Sequence, residues 1–166
     1  MGADIHLFLE RKMKSGNWAC VSNLDRVIRT EGLDGLQANS SLNYGYFKLG
    51  SRNYALFGAL ASVRGDGEEP RGLPVDVSDI VEEESEGWSM DGHSHSWMYA
   101  DEFISIYNRI WLEPNDDEPL DQYSQMLLTD GKDTAVMDFL NKMCSPLVLE
   151  DGDKSEDFRF VFWFDN

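Results

Sequence analysis

The last part of the chain decides the fold: residues 158–164 read Phe158-Arg159-Phe160-Val161-Phe162-Trp163-Phe164. Phenylalanine occupies every second position, which is the period of a β-strand, and aromatic residues favour strands. The alternate face carries Arg159, Val161 and Trp163, so it is mostly apolar as well. A strand that is apolar on both faces is typical of the interior of a sheet, and we expect this strand to lie centrally.

The opening segment predicts a second strand. Over residues 3–10, Ile5, Leu7 and Leu9 fall on one face, as the two-residue period of a strand requires. A turn-like Lys14-Ser15-Gly16 follows, and residues 18–21 are expected to be the hairpin partner.

Apolar residues at helical spacing predict helices between these strands. Ser51 or Asn53 can cap the first helix and Gly65 ends it. Further helices are expected at 99–111, at 134–143 and, shorter, at 121–128, whereas 24–49 favours a loop.

The sequence therefore predicts a single α+β domain over residues 1–166. Its sheet is mainly antiparallel, includes both terminal strands and is packed by three or four helices. Residues 66–91 form an acidic, irregular excursion with one short helical piece.

The charge balance limits the partners. The 166 residues contain 31 Asp and Glu against 14 Lys and Arg, a formal net charge of -17. Such a surface repels nucleic-acid phosphates and anionic lipid, so we expect neither direct nucleic-acid binding nor membrane association. The two cysteines, Cys20 and Cys144, are far apart in the sequence and favour reduced thiols in a cytoplasmic protein.

All three histidines lie in short clusters with carboxylates. Asp4 and His6 have the i, i+2 spacing that points two strand side chains to one face. If the stretch Asp91-Gly92-His93-Ser94-His95-Ser96-Trp97 is extended, Asp91, His93 and His95 share a side too.

Imidazole and carboxylate groups bind zinc, manganese or iron, and such a metal with an open position can activate water. One hypothesis is that Asp4, His6, His93 and His95 hold a divalent metal, with Asp91 and His95 as the catalytic residues. The alternative is that His6 makes a hydrogen bond in a half-buried strand and that Ser96, with Glu102 nearby, caps the helix that follows.

Arg52, Arg64 and Arg71 occur within twenty residues of a chain poor in positive charge. Guanidinium groups bind phosphate or carboxylate groups in a bidentate manner, so the three are candidate ligands for a phosphate-bearing small molecule. In the alternative interpretation, Arg64 complements a helix C-terminus and the other two pair with local carboxylates.

Three acidic tracts, at 66–91, 113–121 and 150–157, suggest a further hypothesis. Carboxylates spread over a surface can imitate nucleic-acid phosphates and occupy the basic groove of another protein.

Several motifs, in order along the whole chain, resemble a family of small, mostly uncharacterised bacteriophage proteins, whose members commonly begin Met-Gly-Cys-Asp-Ile-His. The resemblance implies a phage origin and expression inside the infected host cell, but no activity. Ala3 stands where relatives often carry cysteine, so no role of that cysteine transfers to this chain. The motifs are Met1-Gly2-Ala3-Asp4-Ile5-His6, Arg52-Asn53-Tyr54-Ala55-Leu56-Phe57, Val63-Arg64-Gly65, Arg71-Gly72-Leu73-Pro74, Asp91-Gly92-His93-Ser94-His95-Ser96-Trp97 and Phe162-Trp163-Phe164-Asp165-Asn166.

A looser similarity links Asp4-Ile5-His6 and Gly92-His93-Ser94-His95 to the Asp-x-His and Gly-His-x-His elements of calcineurin-like metallophosphoesterases. The Gly-Asp and Gly-Asn-His/Cys-Asp/Glu segments that those enzymes carry between the two are absent from this sequence in that form. Shared ligand chemistry is therefore favoured over a shared fold.

Three functions follow from these features. The favoured one is an intracellular phage accessory protein that hydrolyses or binds a phosphate-bearing, nucleotide-like ligand with the help of a metal. The second is a non-catalytic acidic effector that blocks a host defence or nucleic-acid-binding protein, in the manner of an anti-CRISPR inhibitor. The third is a module that sequesters a small ligand without turnover.

Overall fold

A computed structural model of the protein shows a four-stranded antiparallel sheet with helices on both faces. It describes residues 2–23, 52–112, 131–143, 147 and 149–166. The loop predicted at 24–49, the acidic tract at 113–121, the helix predicted at 121–128, Ser51 and Cys144 lie outside these residues. The elements are β1 (Asp4–Lys12), β2 (Trp18–Asn23), α1 (Tyr54–Ala61), α2 (Asp79–Trp88), β3 (His93–Tyr99), α3 (Ala100–Leu112), α4 (Lys132–Met143), a 3-10 turn (Ser155–Asp157) and β4 (Phe158–Asp165).

The strand order β2-β1-β4-β3 confirms the central position predicted for the last strand. β4 pairs with the first strand on one side and with β3 on the other, so both terminal strands belong to one sheet, as expected. The register between β1 and β4 places His6 opposite Trp163 and Glu10 opposite Arg159. The predicted α+β class is confirmed.

The two faces of the sheet are covered by different helices. Phe160, Phe162 and Phe164 enter a large apolar core together with side chains of α1, α3 and α4. Val161 and Trp163 point to the opposite face, where a smaller apolar cluster includes Val81 of α2. Both faces of β4 are therefore buried, which explains why most side chains on both of its faces are apolar.

Helix α1 begins where the sequence predicts and ends earlier. The Asn53 side chain accepts a hydrogen bond from the Leu56 N–H at 3.1 Å and caps the helix. The end predicted at Gly65 is wrong, because Ser62 adopts a left-handed φ of 54° and stops the helix after Ala61. The chain then folds back so closely over Gly58 that its backbone contacts the helix.

β3 is the main element that the sequence does not predict. Ser96 lies within this strand, and its hydroxyl accepts a hydrogen bond from the Arg71 N–H at 3.2 Å. The interpretation of Ser96 as a helix cap is therefore wrong. Glu102 does act at the start of α3, where its carboxylate accepts a hydrogen bond from the Tyr99 N–H at 3.0 Å.

The acidic excursion at 66–91 contains one regular element, the ten-residue helix α2. Val81 and Ser85 are its buried residues, and it packs on the sheet face formed by Val161 and Trp163. Within the described residues, no helix has the length and apolar character needed to span a bilayer.

Candidate functional site

His6 lies on the α2-covered face of the sheet. Its Nε2 is 3.2 Å from Oδ2 of Asp165 at the end of β4. Its ring packs against Trp88, with 4.0 Å between centroids, and stacks on Trp163 at 5.8 Å. The structure thus shows the hydrogen-bonded strand histidine that the sequence offered as an alternative to a metal ligand.

A β-bulge separates the other two histidines. Ser94 has a φ of 53°, and the register between β3 and β4 shifts between His93 and Ser96. As a result His93 lies against Phe164, with 6.3 Å between ring centroids, and His95 stacks on Trp163 at 5.6 Å. Phe164 and Trp163 point to opposite faces, so the prediction that His93 and His95 share a side is wrong. An extra residue in a strand reverses the alternation of faces.

The structure therefore brings two of the three histidines to one face. His6 and His95 lie on strands that flank β4, and both contact the indole of Trp163. That indole is buried, and its Nε1 has no hydrogen-bond partner. Asp91 lies in the exposed turn after α2, where its N–H donates to the carbonyl of Trp88 at 3.0 Å.

Among the described residues, no three His, Cys, Asp or Glu side chains are grouped so that they could hold a metal ion. The metal-dependent hydrolase stays a prediction.

The three candidate arginines have separate partners. Arg52 makes two hydrogen bonds to the Asp4 carboxylate, at 2.9 and 3.1 Å. Arg71 binds Glu102 in the same bidentate way, at 2.9 and 3.1 Å. These pairs match the alternative interpretation of local charge neutralisation. Arg64 lies beyond the end of α1, and its guanidinium is 6.0 Å from the ring centroid of Tyr54.

These contacts shift the ionisation of several groups. The hydrogen bond from Arg52 lowers the pKa of Asp4, and that from Arg71 lowers the pKa of Glu102. Burial lowers the pKa of His95, and the neighbouring His93 adds to the effect. Both carboxylates are thus held in their charged form, whereas burial favours the neutral form of His95.

The sequence did not predict a buried ionic network, which lies on the same α2-covered face of the sheet as His6. Arg159 donates through Nε to Glu10 at 2.6 Å, and both side chains are buried. It also donates to the Asp76 carboxylate at 2.7 Å and to the Asp76 carbonyl at 3.0 Å. The guanidinium lies over the ring of Trp18, 4.1 Å from its centroid. One signal was visible in the sequence: Arg159 and Glu10 are opposite charges, each next to an apolar run within a strand.

Helix α2 exposes a row of carboxylates, which we name the acidic stripe: Asp79, Glu82, Glu83 and Glu86. The spacing i, i+3, i+4, i+7 places the four on one side of the helix, away from its buried residues. None of the four pairs with a basic group of the described residues. Lysine and arginine are absent from the sequence between Arg71 and Arg109.

Comparison of the chain with protein-family models, curated proteins and solved structures finds no match. The resemblance to phage proteins therefore stays a prediction.

Proposed function

We propose that this protein is a non-catalytic binding module that docks through the acidic stripe of α2 on a basic surface of another protein. The partner surface is of the kind that otherwise binds nucleic-acid phosphates. The observation that carries the proposal is the uninterrupted row of exposed carboxylates on one side of α2.

The carboxylates of the acidic stripe repel one another along the helix. Asp79 and Glu83, like Glu82 and Glu86, are like charges four residues apart, and each such pair opposes helix formation by about 0.2–0.5 kcal/mol. The helix dipole disfavours Glu86 in the last turn, whereas it favours Asp79 and Glu82 in the first turn. A basic partner would relieve this repulsion, which gives the stripe a physical reason to bind one.

The arginine contacts support a binding module over a phosphate hydrolase. A phosphate clamp needs guanidinium groups that are available to the ligand. Arg52 and Arg71 are instead each bound by a carboxylate of the same chain. An incoming phosphate would have to displace Asp4 or Glu102, whereas a basic protein surface would meet the acidic stripe with no such competition.

The proposal is tested with fluorescein-labelled oligolysine as the probe and fluorescence anisotropy as the measurement. We expect the wild-type chain to bind the probe and to lose at least about tenfold in affinity between about 20 and about 200 mM NaCl, since screening weakens exposed charge pairs. The variant Glu82→Gln/Glu86→Gln should bind about five- to tenfold more weakly than the wild type.

The matched control is Asp151→Asn/Glu156→Gln, which also removes two exposed carboxylates but lies outside the stripe. We expect it to retain affinity within about twofold. Equal losses in the two variants would show that net charge alone attracts the probe, and absence of binding at low salt would contradict the proposal outright.

A further inference from the structure

Two apolar side chains stand at opposite ends of the acidic stripe. Val75, just before α2, is fully exposed, and Met90, just after it, is 94% exposed. Among the residues that the structure describes, the next most exposed large apolar side chains are Tyr54 and Tyr99, which are less than half as exposed as either. Single exposed apolar residues are common on proteins. Val75 and Met90 differ from such single residues because they lie just before and just after the same acidic helix.

The backbone around Val75 is held in place. Residue 75 is the second residue of a turn closed by the Val77 N–H, which donates to the Pro74 carbonyl at 3.1 Å. Arg159 binds both the carboxylate and the carbonyl of Asp76. Val75 is therefore presented to solvent by a fixed backbone, so that little conformational freedom remains to be lost on binding.

The position of Met90 is held in a similar way. α2 ends at Trp88, whose ring packs on His6 with 4.0 Å between centroids. The N–H of Asp91 returns to the Trp88 carbonyl at 3.0 Å, which closes a turn around Met90. Methionine adapts its shape to the surface it meets and is enriched in protein interfaces.

We propose that Val75 and Met90 are the two apolar anchors of the docking surface, and that its partner presents a basic centre flanked by apolar contacts. This inference rests on the proposed function of the acidic stripe. The ten residues of α2, which lie between the two anchors in the sequence, rise about 15 Å. The charges raise the rate of encounter, and the apolar area that the two anchors bury slows dissociation.

Two synthetic helical peptides of about 15 residues and identical composition test the inference, since a helix of that length spans about 22 Å. In the first, leucines occupy the two ends of one face and lysines the middle. In the second, leucines occupy the middle and lysines the ends. We expect the wild-type chain to bind the first at least about tenfold more tightly, as measured by surface plasmon resonance.

The variant Val75→Ser/Met90→Ser should bind both peptides within about twofold of each other, mainly through faster release of the first. Both side chains are exposed, so circular dichroism should show an unchanged fold. Tyr54→Ser is the control for loss of an apolar side chain away from α2, and it should keep the preference.

The two proposals fail in different ways. Equal affinity of the wild type for both peptides, or a preference that survives in Val75→Ser/Met90→Ser, would overturn the anchors and leave the acidic stripe intact. Unchanged affinity of Glu82→Gln/Glu86→Gln for both peptides would overturn the proposed function itself.

Discussion

At the scale of single residues, the chemistry of this protein is governed by where charges are buried. Arg159 lies in the central strand among aromatic side chains, and its charge is balanced by Glu10 across the strand pair. The Ser78 N–H donates to the second oxygen of the Glu10 carboxylate at 2.8 Å. The network therefore joins β4, β1 and the segment that leads into α2, and it positions the surface proposed for binding.

Removal of Arg159 is expected to destabilise the protein strongly. Arg159→Met leaves the Glu10 carboxylate buried without its counter-charge, which costs about 3–5 kcal/mol of unfolding free energy. The double variant Glu10→Met/Arg159→Met should recover part of this loss, because no buried charge then remains at that site. Urea denaturation measures both values. A double variant no more stable than the single one would contradict this account.

His95 is expected to titrate below the ordinary value of 6.5, because burial and the nearby His93 both disfavour its charged form. A histidine with a lowered folded-state pKa stabilises the fold fully above pH 6.5, and the stabilisation is lost as the pH falls toward the folded pKa. Histidine NMR titration gives the pKa directly, and His95→Gln should weaken the pH dependence of stability below 6.5. A pKa at or above 6.5 would refute the prediction.

At the scale of elements, α1 and α2 begin in different ways. The Asn53 side chain caps α1, whereas Ser78 at the start of α2 makes no side-chain cap. The buried Oγ of Ser78 has no hydrogen-bond partner in the described part of the chain. Helix α2 is therefore held by its buried side and by the hydrogen bonds of Glu10 and Arg159 to the preceding segment. On its exposed side the dipole favours the first-turn carboxylates Asp79 and Glu82, whereas the like charges four residues apart repel one another. A helix optimised for stability alone would carry lysine on that side.

The two N-caps predict opposite results for the same kind of substitution. Asn53→Ala should lower the unfolding free energy by about 1 kcal/mol, since a backbone N–H loses its acceptor. Ser78→Ala should leave stability unchanged or raise it, because it removes a buried hydroxyl that bonds nothing. Thermal unfolding of both variants provides the measurement. A loss of about 1 kcal/mol in Ser78→Ala would show that its hydroxyl is satisfied.

At the scale of the whole molecule, the net charge of -17 is the dominant electrostatic fact. Like charges repel within a compact shape, and dissolved salt screens that repulsion. Ion pairs such as Arg52 with Asp4 and Arg71 with Glu102 oppose this repulsion only between the two side chains that form each pair.

We therefore expect the isolated protein to become more stable with salt, by a few degrees in Tm between about 10 and about 200 mM NaCl. KCl at the same ionic strength should produce the same shift, since screening does not distinguish the two cations. A fall in Tm would mean that exposed ion pairs outweigh the net repulsion.

The sequence by itself determined the parts of this protein that depend on local period. Alternating phenylalanines placed β4 in the centre of the sheet, and helical spacing together with Asn53 located the start of α1. The acidic character of residues 66–91 was also evident from the sequence, because the composition of a segment does not depend on its tertiary contacts.

The tertiary structure alone decided which polar groups meet. The bulge at Ser94 sends His93 and His95 to opposite faces, and a local pattern carries no signal for one extra residue in a strand. Arg159 finds Glu10 only because strand register aligns residues 149 positions apart. Contacts between residues so far apart in the sequence form only when the sheet is assembled. The sequence therefore identifies the polar residues of the site but does not show which of them come into contact.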